Sequence, residues 1–263
     1  MFDSGVGGLT VLHECLVSLP EEDFIYLGDT EWFPYGTRDP ELLRERIAAI
    51  SELLLGEDAA KLLVIACNTA TSIGADVARE VAGTRGVEVV PVVEPQAEIA
   101  AAITDSGRVG VLATPNTVES GAYRRALETQ GRALEVTEVE APDLAPFIQN
   151  DDAFDEAVMR MARNYCAPLR EAEVDTLILG CTHYPLVAPM LQRILGRDVR
   201  LVSGGHAVAA AVQRTLESGG LARGRDGEGD YRFLCTGDVE SFRELGTRFL
   251  QMPLGEVERI ALA

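Results

Sequence analysis

The sequence has almost no lysine, no long apolar run and no regular pattern of cysteines. Lys61 is the only lysine among 263 residues, so a pyridoxal phosphate enzyme, which binds its cofactor through a lysine Schiff base, would depend on it. No apolar run approaches the ~20 residues of a membrane-spanning helix, and no charged segment followed by an apolar one begins the chain. We therefore expect a cytoplasmic protein that does not enter a membrane.

Basic residues are scarce as well. The chain has 23 Lys and Arg against 42 Asp and Glu, which gives a formal net charge of −19. Clustered Lys and Arg are what bind nucleic acids and anionic membranes, so neither is an expected partner. The expected partner is a small molecule. The oligomeric state stays open, with a homodimer as one option.

The five cysteines form no C-x-x-C pair and no zinc spacing with histidine. The sequence therefore predicts neither a disulfide framework nor a metal site. Cys15, Cys166 and Cys235 are typical of buried core cysteines. Cys67 and Cys181 differ, because each follows an apolar segment and precedes a helical pattern. The dipole at a helix N-terminus lowers a thiol pKa, so we expect these two thiols to be reactive.

Short apolar segments alternate with helical patterns along the chain. The clearest are DFIYLGDT, KLLVIACNTA, VEVVPVVEP, RVGVLATPNT, DTLILGCTHYP and VRLVSGG. Continuous apolar strands indicate parallel sheets that are covered on both faces, so the predicted fold is α/β. Ligands of such sheets bind beyond the carboxyl ends of the strands, which is where these segments become polar.

Two of the segments resemble each other, LLVIACNTATS and TLILGCTHYPL, which indicates an internal duplication with one copy in each half. We place the crossings between two domains near Pro95 and His206. The first domain then comprises residues 1–94 and 207–263 and carries Cys67. The second comprises residues 95–206 and carries Cys181.

The segment DSGVGG near the start has glycines that fit neither the phosphate-binding loop nor the dinucleotide fingerprint. Glycine allows close backbone approach, while Asp3 supplies a carboxylate and Ser4 a hydroxyl. We interpret the segment as an amino-acid-binding loop, because an amino acid carries both an anion and a cation. Helix capping is the alternative role for Asp3 and Ser4. His183, two residues after Cys181, is interpreted as a functional companion of that thiol.

Five motifs, in this order, resemble the glutamate racemase family: FDSGVGGL, GDTEWFPYGTRDP, ACNTATS, TPNTVESGAY and GCTHYP. The resemblance covers nearly the whole chain. It implies racemisation of glutamate without a cofactor, supplying D-glutamate for peptidoglycan, and two pseudo-symmetric α/β domains with the active site between them. By the same resemblance Cys67 acts on D-glutamate and Cys181 on L-glutamate, assisted by Asp3 and His183 respectively.

The resemblance also implies a set of substrate-binding residues with short polar groups. They are Asp3, Ser4, Tyr35, Gly36, Asn68, Thr69, Thr114, Thr117, Thr182 and His183. Helix capping alone is an equal alternative for Thr114 and Thr117. Two thiols suit a racemase because inversion of a carbon needs one base on one face and a proton donor on the opposite face.

Three other functions stay open at this point. An aspartate racemase of the same superfamily commonly carries a carboxylate where His183 stands, so the histidine favours glutamate. A non-catalytic amino-acid-binding protein would not need two cysteines in matched contexts. A thiol oxidoreductase is disfavoured because the sequence contains no C-x-x-C pair.

The chain departs from the family pattern in two places. Gln149, in APFIQN, stands where the family commonly has Glu, and this difference could change the environment of His183. Family members also usually carry several more residues before FDSG, which form the first strand.

Because only Met1 and Phe2 precede Asp3, we expect a version extended by about six apolar-rich residues to be more active and more stable, since a typical strand would then be complete. A racemase assay and a thermal melt of the two versions test this. Equal rates and equal melting temperatures would contradict it.

Overall fold

The computed structural model describes residues 1–56, 60–150, 156–224 and 227–262. Within these residues the strands in chain order are β1 Phe2–Asp3, β2 Phe24–Gly28, β3 Leu62–Ile65, β4 Glu88–Pro91, β5 Arg108–Ala113, β6 Glu135–Glu140, β7 Thr176–Gly180, β8 Arg200–Val202, β9 Tyr231–Cys235 and β10 Val257–Arg259. The helices are α1 Leu9–Ser18, α2 Pro40–Gly56, α3 Asn68–Gly83, α4 Val93–Ile103, α5 Pro115–Glu119, α6 Ala122–Glu128, α7 Leu144–Gln149, α8 Glu156–Glu171, α9 Ala188–Leu195, α10 Gly204–Ser218 and α11 Val239–Leu250. Short 3₁₀ turns cover Tyr35–Thr37 and Tyr184–Val187.

The strands form two sheets. The first has the order β10-β9-β2-β1-β3-β4 and the second the order β6-β5-β7-β8. Every described strand pair is parallel. The predicted α/β class with two parallel sheets is therefore confirmed.

The six apolar segments of the sequence correspond to β2, β3, β4, β5, β7 and β8. β7 is buried at all five positions, as its sequence TLILG indicates. β6 is different, because its residues, EVTEVE, are half-buried or exposed and the strand lies at the edge of the second sheet. Charged residues on an edge strand oppose pairing with other chains, and they also hide such a strand from a search for apolar runs.

β1 lies in the middle of the first sheet and consists of two residues. Phe2 pairs with Leu27 on one side and with Ile65 on the other. The Asp29 N–H donates to the Asp3 carbonyl, and the Met1 ammonium donates to the Ile25 carbonyl at 2.8 Å. Strands on both sides therefore hold the segment that leads to Asp3, and the effect of an extended first strand stays a prediction.

Two helices connect the sheets. α4 leads from β4 to β5, and α10 leads from β8 back to β9. Pro95 and His206 lie in the first turns of these helices, where the sequence predicts the domain crossings. The residue boundaries of the two domains stay a prediction.

A buried ion pair holds the 3₁₀ turn that carries Tyr35 against the end of β2. The Asp29 carboxylate is fully buried and accepts hydrogen bonds from Arg46 Nε at 2.9 Å and Nη2 at 2.7 Å. It also accepts from the Tyr35 hydroxyl at 2.5 Å and from the Thr236 hydroxyl at 2.8 Å. The Arg46 guanidinium lies over the Trp32 ring, 5.0 Å from its centroid.

We expect Asp29→Asn to lower the free energy of unfolding by about 3–5 kcal/mol, because it leaves the buried Arg46 charge without its partner. The control is Asp76→Asn. The Asp76 carboxylate also accepts two hydrogen bonds from an arginine of α2, Arg44, but its side chain is 69% exposed. Asp76→Asn should therefore lower the free energy of unfolding by less than about 1 kcal/mol. Urea unfolding measures both, and equal losses would contradict this account.

Candidate active site

A small cleft lies where the carboxyl ends of the two sheets face each other. The residues that line it are Ser4, Phe33, Pro34, Tyr35, Gly36, Cys67, Asn68, Thr69, Thr114, Ala145, Cys181, Thr182 and His183. Its free volume is about 20 Å³, which is room for about one water molecule. Ten of the twelve residues predicted from the sequence are in this lining. The other two, Asp3 and Thr117, are fully buried directly behind it.

Each of the two cysteines follows the end of a strand, one in each sheet. Cys67 comes two residues after β3 and caps α3, where its Sγ accepts a hydrogen bond from the Ala70 N–H at 3.4 Å. Cys181 directly follows β7, and the Tyr184 N–H donates to its carbonyl. Both thiols are free and almost completely buried. The two sheets thus present one thiol each to the same cleft.

The expected lowering of the thiol pKa values is wrong. Burial raises the pKa of Cys67 to about 12, with the negative charge of Asp3 as the second cause. Burial likewise raises the pKa of Cys181 well above its usual range. The Ala70 N–H acts in the predicted direction on Cys67, but desolvation outweighs it. Both thiols are therefore protonated at neutral pH, and each needs a neighbouring base.

Asp3 is the ionisable group beside Cys67. The Gly5 N–H donates to Asp3 Oδ1 at 2.9 Å, and the Thr182 hydroxyl donates to Oδ2 at 3.2 Å from the other sheet. Burial raises the pKa of Asp3 to about 6, while hydrogen bonds from Gly5 and Gly8 act to lower it. At pH 7 the carboxylate is largely ionised. The chain's own carboxylate therefore lies in the glycine loop that leads into α1, next to the N–H groups of Gly5 and Gly8.

His183 is the ionisable group beside Cys181. Its Nδ1 lies 3.9 Å from Cys181 Sγ, and its Nε2 lies 3.0 Å from Gln149 Oε1. The ring is packed between Phe33 and Phe249, and burial lowers its pKa to about 3. The imidazole is therefore neutral at pH 7. With Gln149 Oε1 accepting from Nε2, the lone pair of Nδ1 faces the thiol.

Three threonine hydroxyls from both sheets meet on one side of the cleft. Thr69 Oγ1 lies 2.9 Å from Thr114 Oγ1 and 3.3 Å from Thr117 Oγ1, and the latter two are 3.0 Å apart. Thr114 occupies the N-cap position of α5, yet its side chain makes no capping hydrogen bond. Helix capping therefore does not account for the threonine side chain at position 114. Thr117 contacts the two lining threonines from behind.

Close backbone approach explains two glycines of this region. A Cβ atom on Gly7 would lie 2.3 Å from Thr182 Oγ1 and 2.5 Å from His183 Nδ1. A Cβ on Gly36 would lie 2.6 Å from the Cβ of Thr114. Neither glycine has a positive φ, so the requirement is space between the two sheets rather than an unusual backbone conformation.

Three lining residues, and the groups that support the lining, were not predicted from the sequence. Phe33 and Pro34 lie in the quoted motif GDTEWFPYGTRDP, and Ala145 lies in APFIQN, but none was selected because none is polar. Behind the lining, Asn116 Nδ2 donates to the carbonyls of Tyr35 and Arg38 and so ties α5 to the 3₁₀ turn.

The single lysine is not in the cleft. Lys61 Nζ donates to Glu22 Oε2 and to the Leu221 carbonyl, and it is absent from the lining. In the part of the chain that the structure describes, no three His, Cys, Asp or Glu side chains are grouped so that they could hold a metal ion. No helix formed by the described residues has the length and apolar character needed to cross a membrane.

Comparisons with a family model, with related sequences and with solved structures all give racemases. The family model described as Asp/Glu/Hydantoin racemase matches residues 11–212. A glutamate racemase of Geobacter metallireducens is 40% identical over 262 residues, covering 100% of this chain and 96% of its own. The solved structure of a glutamate racemase of Bacillus anthracis has a TM-score of 0.93 at 34% identity and covers 99% of this chain and 96% of its own. A glutamate racemase of Francisella tularensis, solved with D-glutamate, has a TM-score of 0.92 at 30% identity with the same coverage.

The raised pKa of Asp3 predicts a pH-dependent gain in stability for Asp3→Asn. The folded protein binds the Asp3 proton more tightly than the unfolded chain does. The stability that this proton gives the parent is therefore fully present below pH 3.8 and is lost as the pH rises through about 6. Asn is neutral throughout. The free energy of unfolding of the variant relative to the parent should therefore rise by roughly 2.5 kcal/mol between pH 4 and pH 8.

Urea unfolding at a series of pH values measures this difference. Asp76→Asn is the control, because Arg44 lowers the pKa of Asp76 below its ordinary value of 3.8. The stability that this pair contributes is almost fully present above pH 4, so the difference between this variant and the parent should stay nearly constant from pH 4 to pH 8. A difference for Asp3→Asn that stays constant from pH 4 to pH 8 would contradict the assignment.

Proposed function

The chain belongs to the Asp/Glu/Hydantoin racemase family, and we propose that it interconverts L- and D-glutamate with the thiols of Cys67 and Cys181 as the two acid–base groups. As a racemase it is an isomerase. The full-length relatives that carry the name glutamate racemase, at 36% to 41% identity, support glutamate as the substrate. The product D-glutamate would enter peptidoglycan in the cytoplasm.

One observation carries this proposal: two strand-end thiols from opposite sheets line a single cleft. An α-carbon held between them has one thiol on each face. One sulfur then removes the α-proton as the other delivers a proton to the opposite side, and the configuration inverts. Neither step needs a cofactor, because the cleft supplies both the base and the acid.

On the first face, Cys67 and Asp3 act together on D-glutamate. Asp3 is ionised at pH 7 and accepts the proton that leaves the Cys67 thiol, so the resulting thiolate can attack the α-proton. The transfer is uphill in the empty cleft, because burial raises the pKa of the Cys67 thiol well above that of the Asp3 carboxyl. The ammonium group of the substrate would favour this transfer by lying nearer to the Cys67 sulfur than to the Asp3 carboxylate, since a cation stabilises the closer anion more.

On the second face, Cys181 and His183 act together on L-glutamate. The neutral imidazole accepts the thiol proton at Nδ1, and Gln149 holds the ring through Nε2. Gln149 has no charge, so it orients the imidazole but does not stabilise an imidazolium as a carboxylate would. Deprotonation of Cys181 by His183 therefore relies on the charge of the bound substrate.

The remaining lining residues would hold the substrate without a fixed cation. The hydroxyls of Ser4, Thr69, Thr114 and Thr182 and the amide of Asn68 are short neutral donors and acceptors, with Tyr35 and Gly36 closing one wall and Thr117 supporting the threonines.

A direct assay tests the proposal. Pure protein with L-glutamate or L-aspartate, without added cofactor, is followed by optical rotation. Loss of rotation with glutamate and much slower loss with aspartate are expected. Preferential racemisation of aspartate would favour the aspartate racemase alternative, and binding of glutamate without turnover would favour an amino-acid-binding protein. Light scattering of the same sample decides whether the protein is a homodimer.

Each active-site cysteine should be needed for racemisation but for only one half-reaction. We expect Cys67→Ser and Cys181→Ser to lower kcat by about a thousandfold or more, because a serine hydroxyl is a far weaker acid than a thiol. Cys15→Ala is the matched control. Its thiol pKa is also raised to about 12 by burial, yet Cys15 is not in the lining, so kcat should stay within about threefold of the parent.

The half-reaction is read with 3-chloroglutamate, from which removal of the α-proton expels chloride and leaves an enamine that water converts to 2-oxoglutarate and ammonia. Cys67→Ser should retain this elimination on the L enantiomer, and Cys181→Ser on the D enantiomer. Full racemase activity in either serine variant would overturn the mechanism.

A further inference from the structure

Gln96 lies behind the cleft and makes contacts with both halves of the site. It is in the first turns of α4, the helix that connects the two sheets, and its side chain is fully buried. Its Oε1 accepts from Asn68 Nδ2 at 2.9 Å and from the Tyr123 hydroxyl at 2.5 Å. Its Nε2 donates to the carbonyls of Leu179 and Val202, both at 3.2 Å.

These four contacts use the whole hydrogen-bonding capacity of the amide. A glutamine side chain has two lone pairs on its oxygen and two N–H groups on its nitrogen. The two backbone carbonyls can only accept, so Nε2 must face them and Oε1 must face Asn68. The orientation of the Gln96 amide is therefore fixed by the second sheet.

The fixed Gln96 amide in turn orients Asn68. Asn68 directly follows Cys67 and lines the cleft. Its Nδ2 donates to Gln96 Oε1 at 2.9 Å and to the Tyr123 hydroxyl at 2.6 Å. Because these two acceptors hold Nδ2 inside the buried cluster, the polar atom of the side chain that can serve a ligand is the oxygen, Oδ1.

We propose that Gln96 is a positioning residue that fixes the Asn68 amide with Oδ1 toward the cleft, so that Asn68 accepts a hydrogen bond from the ammonium group of the substrate. The proposal rests on the proposed function, since it takes an amino acid as the ligand. A rotated amide would present N–H groups to a cation and would repel it. Gln96 thus makes the first half-site dependent on β7, which ends beside Cys181.

The proposal predicts a specific kinetic change. The contact from the ammonium to Asn68 is present in both the bound substrate and the transition state, so its loss raises KM more than it lowers kcat. Gln96→Met removes all four hydrogen bonds while retaining a side chain of similar length. We expect KM to rise about tenfold for both enantiomers, with kcat within about threefold of the parent.

Gln96→Glu is the conservative variant. Burial against two carbonyl oxygens favours the protonated acid, which still accepts from Asn68 and Tyr123 and donates to one carbonyl. Its KM should stay within about threefold of the parent although its melting temperature falls. Should the Met variant not fold, Gln96→Asn withdraws the amide by one methylene and should also raise KM.

The matched control is Gln192→Met. Gln192 Nε2 also donates to two backbone carbonyls, those of Gly196 and Val199, but outside the cleft. This variant should lose stability with no change in KM. A change in KM that follows the melting temperature across all these variants would mean that Gln96 is merely structural, and would overturn the proposal.

A double-mutant cycle with Asn68→Ala gives the decisive comparison. If Gln96 acts through Asn68, the KM of the double variant should be no higher than that of Asn68→Ala alone. The role of Gln96 would be overturned if the double variant's increase in KM equalled the product of the two single increases. An unchanged KM in Gln96→Met, with an active parent, would also overturn it. A parent that does not racemise any amino acid would overturn the proposed function as well, so the two failures are distinguishable.

Discussion

Desolvation in a narrow space between two sheet edges is the constraint on which the site depends. Two thiols, a carboxylate and an imidazole are buried together there. Burial favours the uncharged form of each group, which raises the pKa of Asp3 and Cys67 and lowers the pKa of His183. The site at rest therefore holds protons on sulfur and keeps two bases ready beside them. A low-dielectric cleft also strengthens the attraction of a bound ammonium group.

The rest of the fold serves to hold these groups at opposite faces of one cleft. Parallel strands end at the same edge of a sheet, so each sheet delivers its thiol beyond its carboxyl edge. Contacts between the sheets then fix their separation, through Thr182 to Asp3 and through the three threonine hydroxyls. Glycine at positions 7 and 36 permits this approach, and the buried Asp29–Arg46 pair holds the wall that carries Tyr35.

Much of this arrangement could be predicted from the sequence, because strand-end positions are visible as apolar segments that become polar. Cys67, Cys181 and His183 were found in this way. The thiol pKa values were predicted wrongly, since a sequence shows that a helix begins at Cys67 but not how deeply the sulfur is buried. β6 was not predicted, because three glutamates interrupt its sequence EVTEVE and leave no apolar run. Gln96 could not be found, since its role depends on carbonyls about 80 and 106 residues away.

The measurement that tests the central claim most directly is the fate of the α-hydrogen in deuterium oxide. L-Glutamate is incubated with the protein and sampled early, and the deuterium content at the α-carbon of each enantiomer is measured separately by mass spectrometry. With two groups on opposite faces, the D-glutamate that forms carries solvent deuterium while the remaining L-glutamate keeps its hydrogen. Deuterium entering both enantiomers at equal rates from the start would contradict the two-thiol mechanism.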